Sequence, residues 1–145
     1  MFRYRKNEKV ARTAHRPTKC PFCHLEDKVL NPRERQIIEE TAHARVMDAL
    51  YPYDLWEWRQ VTSHLLIVPK RHIALLDELT PEERSDIMDL MCKYDTQNYS
   101  VYARSPRSIQ RTIPGHQHTH LIKTNETAIK KGAIYMVKPY LLRKF

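Results

Sequence analysis

The sequence predicts an α+β domain in which one main helix packs against a mostly antiparallel sheet. Short apolar stretches of strand length recur along the chain between Pro-containing and polar turns. The clearest helical stretch, which follows Thr80, combines helical periodicity with helix-start signals. The chain has 145 residues, which is enough for one domain with a hydrophobic core. Strands that outnumber helices in this way are typical of a sheet covered by a helix.

The predicted strands follow from apolar runs and their boundaries. The segment RQIIEETAHARVMDAL, at residues 35–50, predicts two strands that turn near Thr41–His43. The run Leu65–Val68, closed by Pro69, predicts a buried strand because it is short and rich in branched side chains. Two segments predict loops: YPYDLWEW (51–58) and RSPRSIQRTIPG (104–115). Three more segments predict strands: NYSVYA (98–103), HQHTHLIK (116–123) and AIYMVKPYLL (133–142).

The main helix is predicted from its first residues. Thr80 is a good N-cap, Pro81 suits the first helical position, and Glu83 completes a capping box. Apolar residues then recur at helical spacing: Ile87, Leu90, Met91 and Tyr94. The helix should therefore run from about residue 81 to 95. Cys92 falls within it, and we expect this cysteine to be a small buried hydrophobe.

The net charge of +8 is concentrated at the two ends of the chain. Residues 1–19 contain seven Lys or Arg and one Glu, and residues 123–145 contain six and one, whereas acidic side chains outnumber basic ones between them. We expect a basic N-terminal arm at 1–18 and a domain at 19–145 that ends in a basic segment. Such ends can attract a polyanion without specificity. With no secretory or membrane-spanning pattern, a cytoplasmic protein is expected.

Three histidines stand at alternate positions after the second loop: His116, His118 and His120. Because alternate residues of a strand share one face, neighbouring imidazoles would lie about 7 Å apart on one side of the sheet. An imidazole is close to neutrality at pH 7, and it serves as a nucleophile, an acid or base, or a metal ligand. Packing alone does not account for such a row, so we expect it to be functional.

A pair of cysteines and two further histidines strengthen this interpretation. The segment CPFC places Cys20 and Cys23 at the spacing of a zinc-knuckle half-site. In a reducing compartment, such a pair indicates metal or redox chemistry rather than a structural disulfide. Two thiolates need two more ligands to complete a tetrahedron, and histidines can supply them. His64 and His72 flank the predicted buried strand and add to that supply.

Four segments together resemble the histidine triad (HIT) superfamily of nucleotide hydrolases and nucleotidyltransferases. In chain order they are CPFC, HLLIVPKRHI, LTPEE and HQHTHLI, and they span roughly Cys20 to Lys123. The two histidine-containing segments are the specific ones. The resemblance implies a HIT-like fold, a nucleotide or nucleotide conjugate as substrate, hydrolase or transferase activity, and a homodimer.

The resemblance also implies roles for individual residues. The middle histidine, His118, would be the nucleophile that forms a covalent nucleotidyl-histidine, which requires its ring to be free to bond phosphorus. A neighbouring backbone carbonyl could hold one ring nitrogen protonated and direct the other towards phosphorus. His120 would hydrogen-bond the phosphate or the leaving group. His64 corresponds to the fourth active-site histidine of the family.

Structural zinc is implied by the branch of the superfamily that includes galactose-1-phosphate uridylyltransferases. Its ligands in this sequence would be Cys20, Cys23, His72 and His116. Because all four ligands come from protein, the zinc would be structural. His64 is the substitute ligand if His72 lies too far away.

The chain departs from the family pattern beside the triad. Apolar residues usually separate the histidines, whereas Gln117 and Thr119 stand here, and a glutamine on the packed face needs a partner. The Gly-rich loop before the triad is missing. Candidate substrate-binding residues are therefore Arg104, Ser108, Thr112 and Gln117, and Arg107 and Arg111 could join Arg104 in clamping an anion.

Two other functions remain open from the sequence. The three triad histidines could themselves hold a catalytic zinc in a metal-dependent hydrolase. Alternatively, the protein could be a non-enzymatic, zinc-stapled module that binds nucleic acid through its basic ends.

Overall fold

In the described part of the chain, six strands form one antiparallel sheet with a single long helix on one face, as predicted. The computed structural model describes residues 19–108, 111 and 113–128. The strands are β1 (Ile37–Glu40), β2 (Ala44–Asp48), β3 (Leu55–Trp56), β4 (Arg59–Pro69), β5 (Ser100–Ala103) and β6 (Thr119–Ala128). The long helix is α1 (Pro81–Asp95), and a 3-10 turn, Leu76–Glu78, precedes it. The strand order is β1-β2-β4-β6-β5, and β3 pairs with β4.

The helix begins and ends where the sequence signals place it. The Thr80 hydroxyl accepts a hydrogen bond from the Glu83 backbone N–H, and the Glu83 carboxylate accepts one from the Thr80 N–H. This reciprocal capping box satisfies donors that the first turn leaves unpaired. The predicted burial of Cys92 is wrong, because this side chain is exposed. The buried apolar residues of the helix are Ile87, Leu90 and Tyr94, and Cys92 does not lie on their face.

The sheet separates two apolar layers. Against α1 pack Val46, Ile67 and Leu121, all nearly inaccessible to solvent. On the opposite face, a smaller cluster of Phe22, Met47, Ala49, Leu66 and Val68 lies beneath the CPFC loop. Because side chains alternate along β6, Leu121 faces the helix and His120 faces the layer that contains the cysteines. The histidine face is therefore covered by a loop rather than by a helix.

The first hairpin was predicted correctly, and the aromatic loop only in part. β1 and β2 pair on either side of Thr41–His43, as expected. Within the segment predicted as a loop, Leu55 and Trp56 instead form β3, which pairs with the start of β4. A two-residue turn at Glu57 and Trp58 joins these strands, with φ values of 49° and 61°. Two consecutive positive φ values match the twist of a tight hairpin, which neither residue type signals in the sequence.

The strand that carries the triad begins later than predicted. β6 starts at Thr119, so His116 and His118 precede the regular ladder. The backbone N–H of Gln117 donates to the carbonyl oxygen of Ile73 at 2.6 Å. A tertiary hydrogen bond to the segment after β4 thus replaces strand pairing at this point.

Several predicted features lie outside the described residues: the basic arm at 1–18, Thr112, and the strand at 133–142. In the described part of the chain, no helix has both the length and the apolar character needed to span a bilayer.

Candidate active site and metal centre

The four predicted metal ligands converge at one end of the histidine row. The ligand atoms of Cys20, Cys23, His72 and His116 all lie within 4.8 Å of one another. The His116 Nδ1 is 3.2 Å from the Cys20 Sγ and 3.5 Å from the Cys23 Sγ. The His72 Nδ1 is 3.2 Å from the Cys23 Sγ. Three separate segments, the CPFC loop, the segment after β4 and the start of the triad, therefore meet here.

This donor set fits a tetrahedral zinc ion. Zinc bound at about 2.3 Å to sulfur and about 2.0 Å to nitrogen would hold its ligand atoms roughly 3.3–3.8 Å apart, close to the distances in this cluster. The His116 Nε2 is 2.9 Å from the carbonyl oxygen of Pro69, to which it donates, so Nδ1 is left to face the thiols. Burial and the adjacent Cys20 raise the pKa of Cys23 to about 11, so a cation is needed to hold its thiolate at neutral pH.

The middle histidine is oriented by a backbone carbonyl, but through the other ring nitrogen. The His118 Nδ1 lies 3.0 Å from the carbonyl oxygen of His116, to which it donates. Its Nε2 therefore carries the free electron pair. Burial lowers the pKa of His118 to about 4, with further contributions from the charges of Arg111 and Arg104. The ring is thus a neutral base at pH 7, as nucleophilic attack requires.

The burial of His118 differs from the expectation that its ring would be freely accessible. The residue is only 5% exposed, and Phe22 and His120 pack against it with ring centroids 5.3 Å and 5.1 Å away. Unlike the Nε2 of His120, the Nε2 of His118 keeps some access to solvent. The packed neighbours keep water from the rest of the ring.

A chain of hydrogen bonds fixes the ring nitrogens at the other end of the row. The backbone N–H of Tyr53 donates to His64 Nδ1 at 3.0 Å, so the proton of a neutral His64 is on Nε2. That nitrogen is 2.9 Å from the Nδ1 of His120 and donates to it. A neutral His120 then carries its own proton on Nε2. His64 is therefore not the substitute metal ligand; it orients His120.

Arg104 is the predicted substrate-binding residue that the structure places on the histidine face. Its guanidinium donates to the Tyr53 hydroxyl at 2.6 Å and lies over the rings of Tyr53 and Tyr102, 5.9 Å and 5.5 Å from their centroids. Both rings also contact His120, with centroids 5.9 Å away. A buried cation thus lies near His120, and its charge also lowers the pKa of His118.

The other predicted substrate-binding residues are placed differently. Ser108 is half-buried in a turn, where its carbonyl oxygen accepts a hydrogen bond from the Arg111 N–H. The Gln117 side chain is buried and bound to Arg111, so it is occupied by a protein partner as its position on the packed face requires. Arg107 is exposed, and Thr112 lies outside the described residues.

Phe22 and Asn31 are site residues that the sequence analysis missed. Phe22 stands between the two cysteines and contacts both His116 and His118, with centroids 5.4 Å and 5.3 Å away. Asn31 is 1% exposed and donates to the carbonyl oxygens of Pro21 and His24, which fixes the loop around the thiols. An apolar residue inside the CxxC pair was the only sequence signal for this packing.

The three triad histidines do not converge on one point. His116 faces the thiols, the Nδ1 of His118 is bound to a carbonyl, and the Nδ1 of His120 is bound to His64. In the described ranges, the cluster with the two cysteines is the one group that could hold a metal ion. A catalytic zinc on the triad itself is therefore not favoured by this geometry.

Comparisons with known proteins find structures but not sequences. No family model matches the chain, and no curated protein does. Among solved structures, a HIT family hydrolase from Clostridium thermocellum is similar at a TM-score of 0.54 and 19% identity, covering 79% of this chain and 97% of that one. A histidine triad protein from Clostridium difficile gives 0.53 and 20%, covering 78% and 96%.

A third solved structure agrees with these two. A histidine triad nucleotide-binding protein from Candida albicans is similar at a TM-score of 0.52 and 22% identity, covering 83% of this chain and 86% of that one. The fold is that of histidine triad proteins. At identities below 25%, a shared histidine triad fold does not establish a shared activity, which must be argued from the site.

Proposed function

We propose that the protein is a HIT-type nucleotide phosphohydrolase or nucleotidyltransferase that acts through a covalent nucleotidyl-histidine on His118. The observation that supports this proposal most directly is the hydrogen bond from His118 Nδ1 to the carbonyl oxygen of His116, at 3.0 Å. It holds the proton on one nitrogen and leaves the electron pair of the other available for attack on phosphorus. The fold shared with a protein titled as a histidine triad nucleotide-binding protein supports a nucleotide as substrate.

The reaction proceeds in two displacements at one phosphorus. In the first, the His118 Nε2 forms a bond to the phosphorus nearest the nucleoside, and the bond to the leaving group breaks with its electron pair. In the second, water or another acceptor attacks that phosphorus, loses a proton, and the N–P bond breaks to restore the imidazole. With water, the product is a nucleoside monophosphate; with another acceptor, the nucleotidyl group is transferred.

Two neighbours of His118 assist this reaction. The Nε2–H of His120, whose position the bond from His64 fixes, donates to a phosphoryl oxygen or to the leaving group. The Arg104 guanidinium supplies positive charge where negative charge accumulates in the transition state. Because His118 is only 5% exposed, a substrate bound at its Nε2 leaves little room for competing water.

Zinc at Cys20, Cys23, His72 and His116 would have a structural role. When bound, it would hold the CPFC loop, the end of β4 and the first triad histidine together. Phe22, carried by that loop, packs on His118, so the loop position bears directly on the nucleophile. The resemblance also implies a homodimer, which the mass of the protein in solution would test.

Trapping the intermediate tests the proposed function. A dinucleoside polyphosphate or a nucleoside phosphoramidate, mixed rapidly with the zinc-loaded protein, should yield a nucleotidyl adduct on the peptide that contains His118. His118→Ala should lower kcat by at least about 10³-fold, because the nucleophile is removed. The exposed His24 provides the matched control, and His24→Ala should retain wild-type turnover. Turnover by His118→Ala at the wild-type rate, or an adduct elsewhere, would contradict the mechanism.

A further inference from the structure

Gln117 lies between a candidate metal ligand and the candidate nucleophile. Its side chain is 3% exposed, and its Oε1 accepts a hydrogen bond from the Arg111 Nη2 at 2.9 Å. Its backbone N–H donates to the carbonyl oxygen of Ile73 at 2.6 Å. Both the backbone and the side chain of Gln117 are therefore fixed at the point where the triad segment has not yet entered the β6 ladder.

Arg111 extends this attachment to the segment that follows His72. Arg111 is 3% exposed, and the same Nη2 that binds Gln117 also donates to the carbonyl oxygen of Ala74 at 2.8 Å. One guanidinium nitrogen thus joins residue 74 to residue 117. These two positions are close in the chain to His72 and His116, so the Arg111–Gln117 pair limits how the two imidazoles can move apart.

The pair is a poor source of stability. Burial lowers the pKa of Arg111, and among the described residues no carboxylate forms an ion pair with it. The Arg111 Nη1 and the Gln117 Nε2 are buried without a hydrogen-bond partner in the described structure. Removing a cation from water is energetically costly, and apolar replacements for buried polar groups are often neutral or stabilising. The polar pair therefore calls for a reason other than stability.

We infer that Arg111 and Gln117 form a positioning clamp, which fixes the His116–His118 segment against the His72 segment from the side opposite the histidines. The clamp replaces the apolar packing that a strand would otherwise use here. Arg111 and Gln117 are positioning residues, since they act on the metal ligands and His118 through the backbone and do not touch the reacting atoms. The catalytic part of this inference rests on the proposed function, whereas its effect on the metal centre does not.

Three variants of the full-length protein test the clamp: Gln117→Leu, the double variant Arg111→Met/Gln117→Leu, and Gln117→Glu. The first should lower the melting temperature by roughly 4–8 °C, because Arg111 loses an acceptor while it stays buried. The double variant should recover to within about 2 °C of the wild type, since no orphaned polar group remains. Gln117→Glu keeps an oxygen for Arg111 and should match or exceed wild-type stability.

The decisive readouts are ones that a merely structural pair would not change. In the double variant, the visible absorption bands of the Co²⁺-substituted protein should shift, and kcat should fall by about 10–100-fold with KM within about 3-fold. Gln117→Glu should keep both at wild-type values. Thr119→Val is the matched control, since Thr119 is a buried residue two positions along the same face.

Each outcome decides the matter. If the double variant is stable and keeps wild-type Co²⁺ bands and kcat, the clamp is wrong. It is also wrong if Gln117→Glu shifts the Co²⁺ bands and lowers kcat as the double variant does. If the double variant does not fold, the comparison between Gln117→Glu and Gln117→Leu serves the same purpose. If the wild type turns over no nucleotide substrate, the proposed function fails, and the Co²⁺ bands alone still decide about the clamp.

Discussion

His116 and His118 stand two residues apart and both donate to a backbone carbonyl, yet they use opposite ring nitrogens. His116 donates through Nε2 to Pro69, which leaves Nδ1 facing the thiols. His118 donates through Nδ1 to His116, which leaves Nε2 available. The same side chain at two sites of one segment thus presents Nδ1 to the two thiols in one case and leaves Nε2 available in the other. The second hydrogen bond of each ring makes the difference.

The two ends of the histidine row also differ in how deeply their side chains are buried. At the metal end, Cys23 and His72 are exposed, so packing constrains their geometry little. At the other end, His64, His118 and His120 are all buried and held by hydrogen bonds and ring contacts within the protein. We therefore expect removal of a metal ion to disrupt the structure of the metal end first. At the other end, activity should depend more on the hydrogen bonds of the histidines than on the overall stability of the protein.

The largest expected effect is the loss of a thiolate. Cys23→Ser should abolish stoichiometric zinc binding and lower the free energy of unfolding by several kcal/mol, because metal binding contributes to folding in such sites. Zinc content and denaturant unfolding measure this. Cys92→Ser, at an exposed cysteine of α1, is the matched control and should change neither. If Cys23→Ser keeps its zinc and its stability, the cluster is not a metal centre.

A smaller effect is expected at the end of the row that contains His64, and it should appear in the rate rather than in the zinc content. His64→Phe keeps a ring to stack on Tyr53, which lies 4.7 Å away at 20°, but it cannot orient His120. We expect kcat to fall about 10–100-fold while zinc content stays at the wild-type level. His64→Gln, which offers both an acceptor and a donor, should recover part of the loss. Equal rates for His64→Phe and the wild type would show that the orientation of His120 does not matter.

The sequence predicts well those features that a few neighbouring residues determine. The start of the helix follows from Thr80, Pro81 and Glu83, because a capping box and an N-terminal proline act within one turn. The chemistry of the cysteine pair predicted that two histidines would join it, whereas the choice of His72 and His116 came from the family resemblance. The burial of the Leu65–Val68 run follows from its composition alone.

Features that depend on distant partners were not predictable. β6 begins at Thr119 rather than at His116 because Gln117 pairs with Ile73, 44 positions earlier in the chain. The role of Arg111 depends on two acceptors that only the fold brings together. The burial of His118 likewise depends on Phe22, which a loop supplies from the other end of the domain. Tertiary contacts of this kind override local periodicity.

The smallest expected effect is that of a substitution at Glu83, which connects the helix to the metal end of the row. Its carboxylate accepts two hydrogen bonds from Arg71, at 2.9 Å and 2.7 Å, and thereby holds the residue that precedes His72. Chiefly through Arg71, and also through the Thr80 N–H, its pKa is lowered to about 2 in the folded protein. Glu83→Gln should cost about 1–2 kcal/mol at pH 7, because a charge-assisted pair is weakened.

The pH dependence of that cost tests its electrostatic origin. Because the folded pKa of Glu83 lies below the unfolded value of 4.5, its stabilisation is present above about pH 4.5 and is lost as the pH falls towards 2. The difference in unfolding free energy between the wild type and Glu83→Gln should therefore shrink over that range. Glu82→Gln, at an exposed residue of the same turn, should cost much less than Glu83→Gln. A difference between wild type and Glu83→Gln that stays constant down to pH 3 would assign the effect to packing, and the link between α1 and His72 would then not be electrostatic.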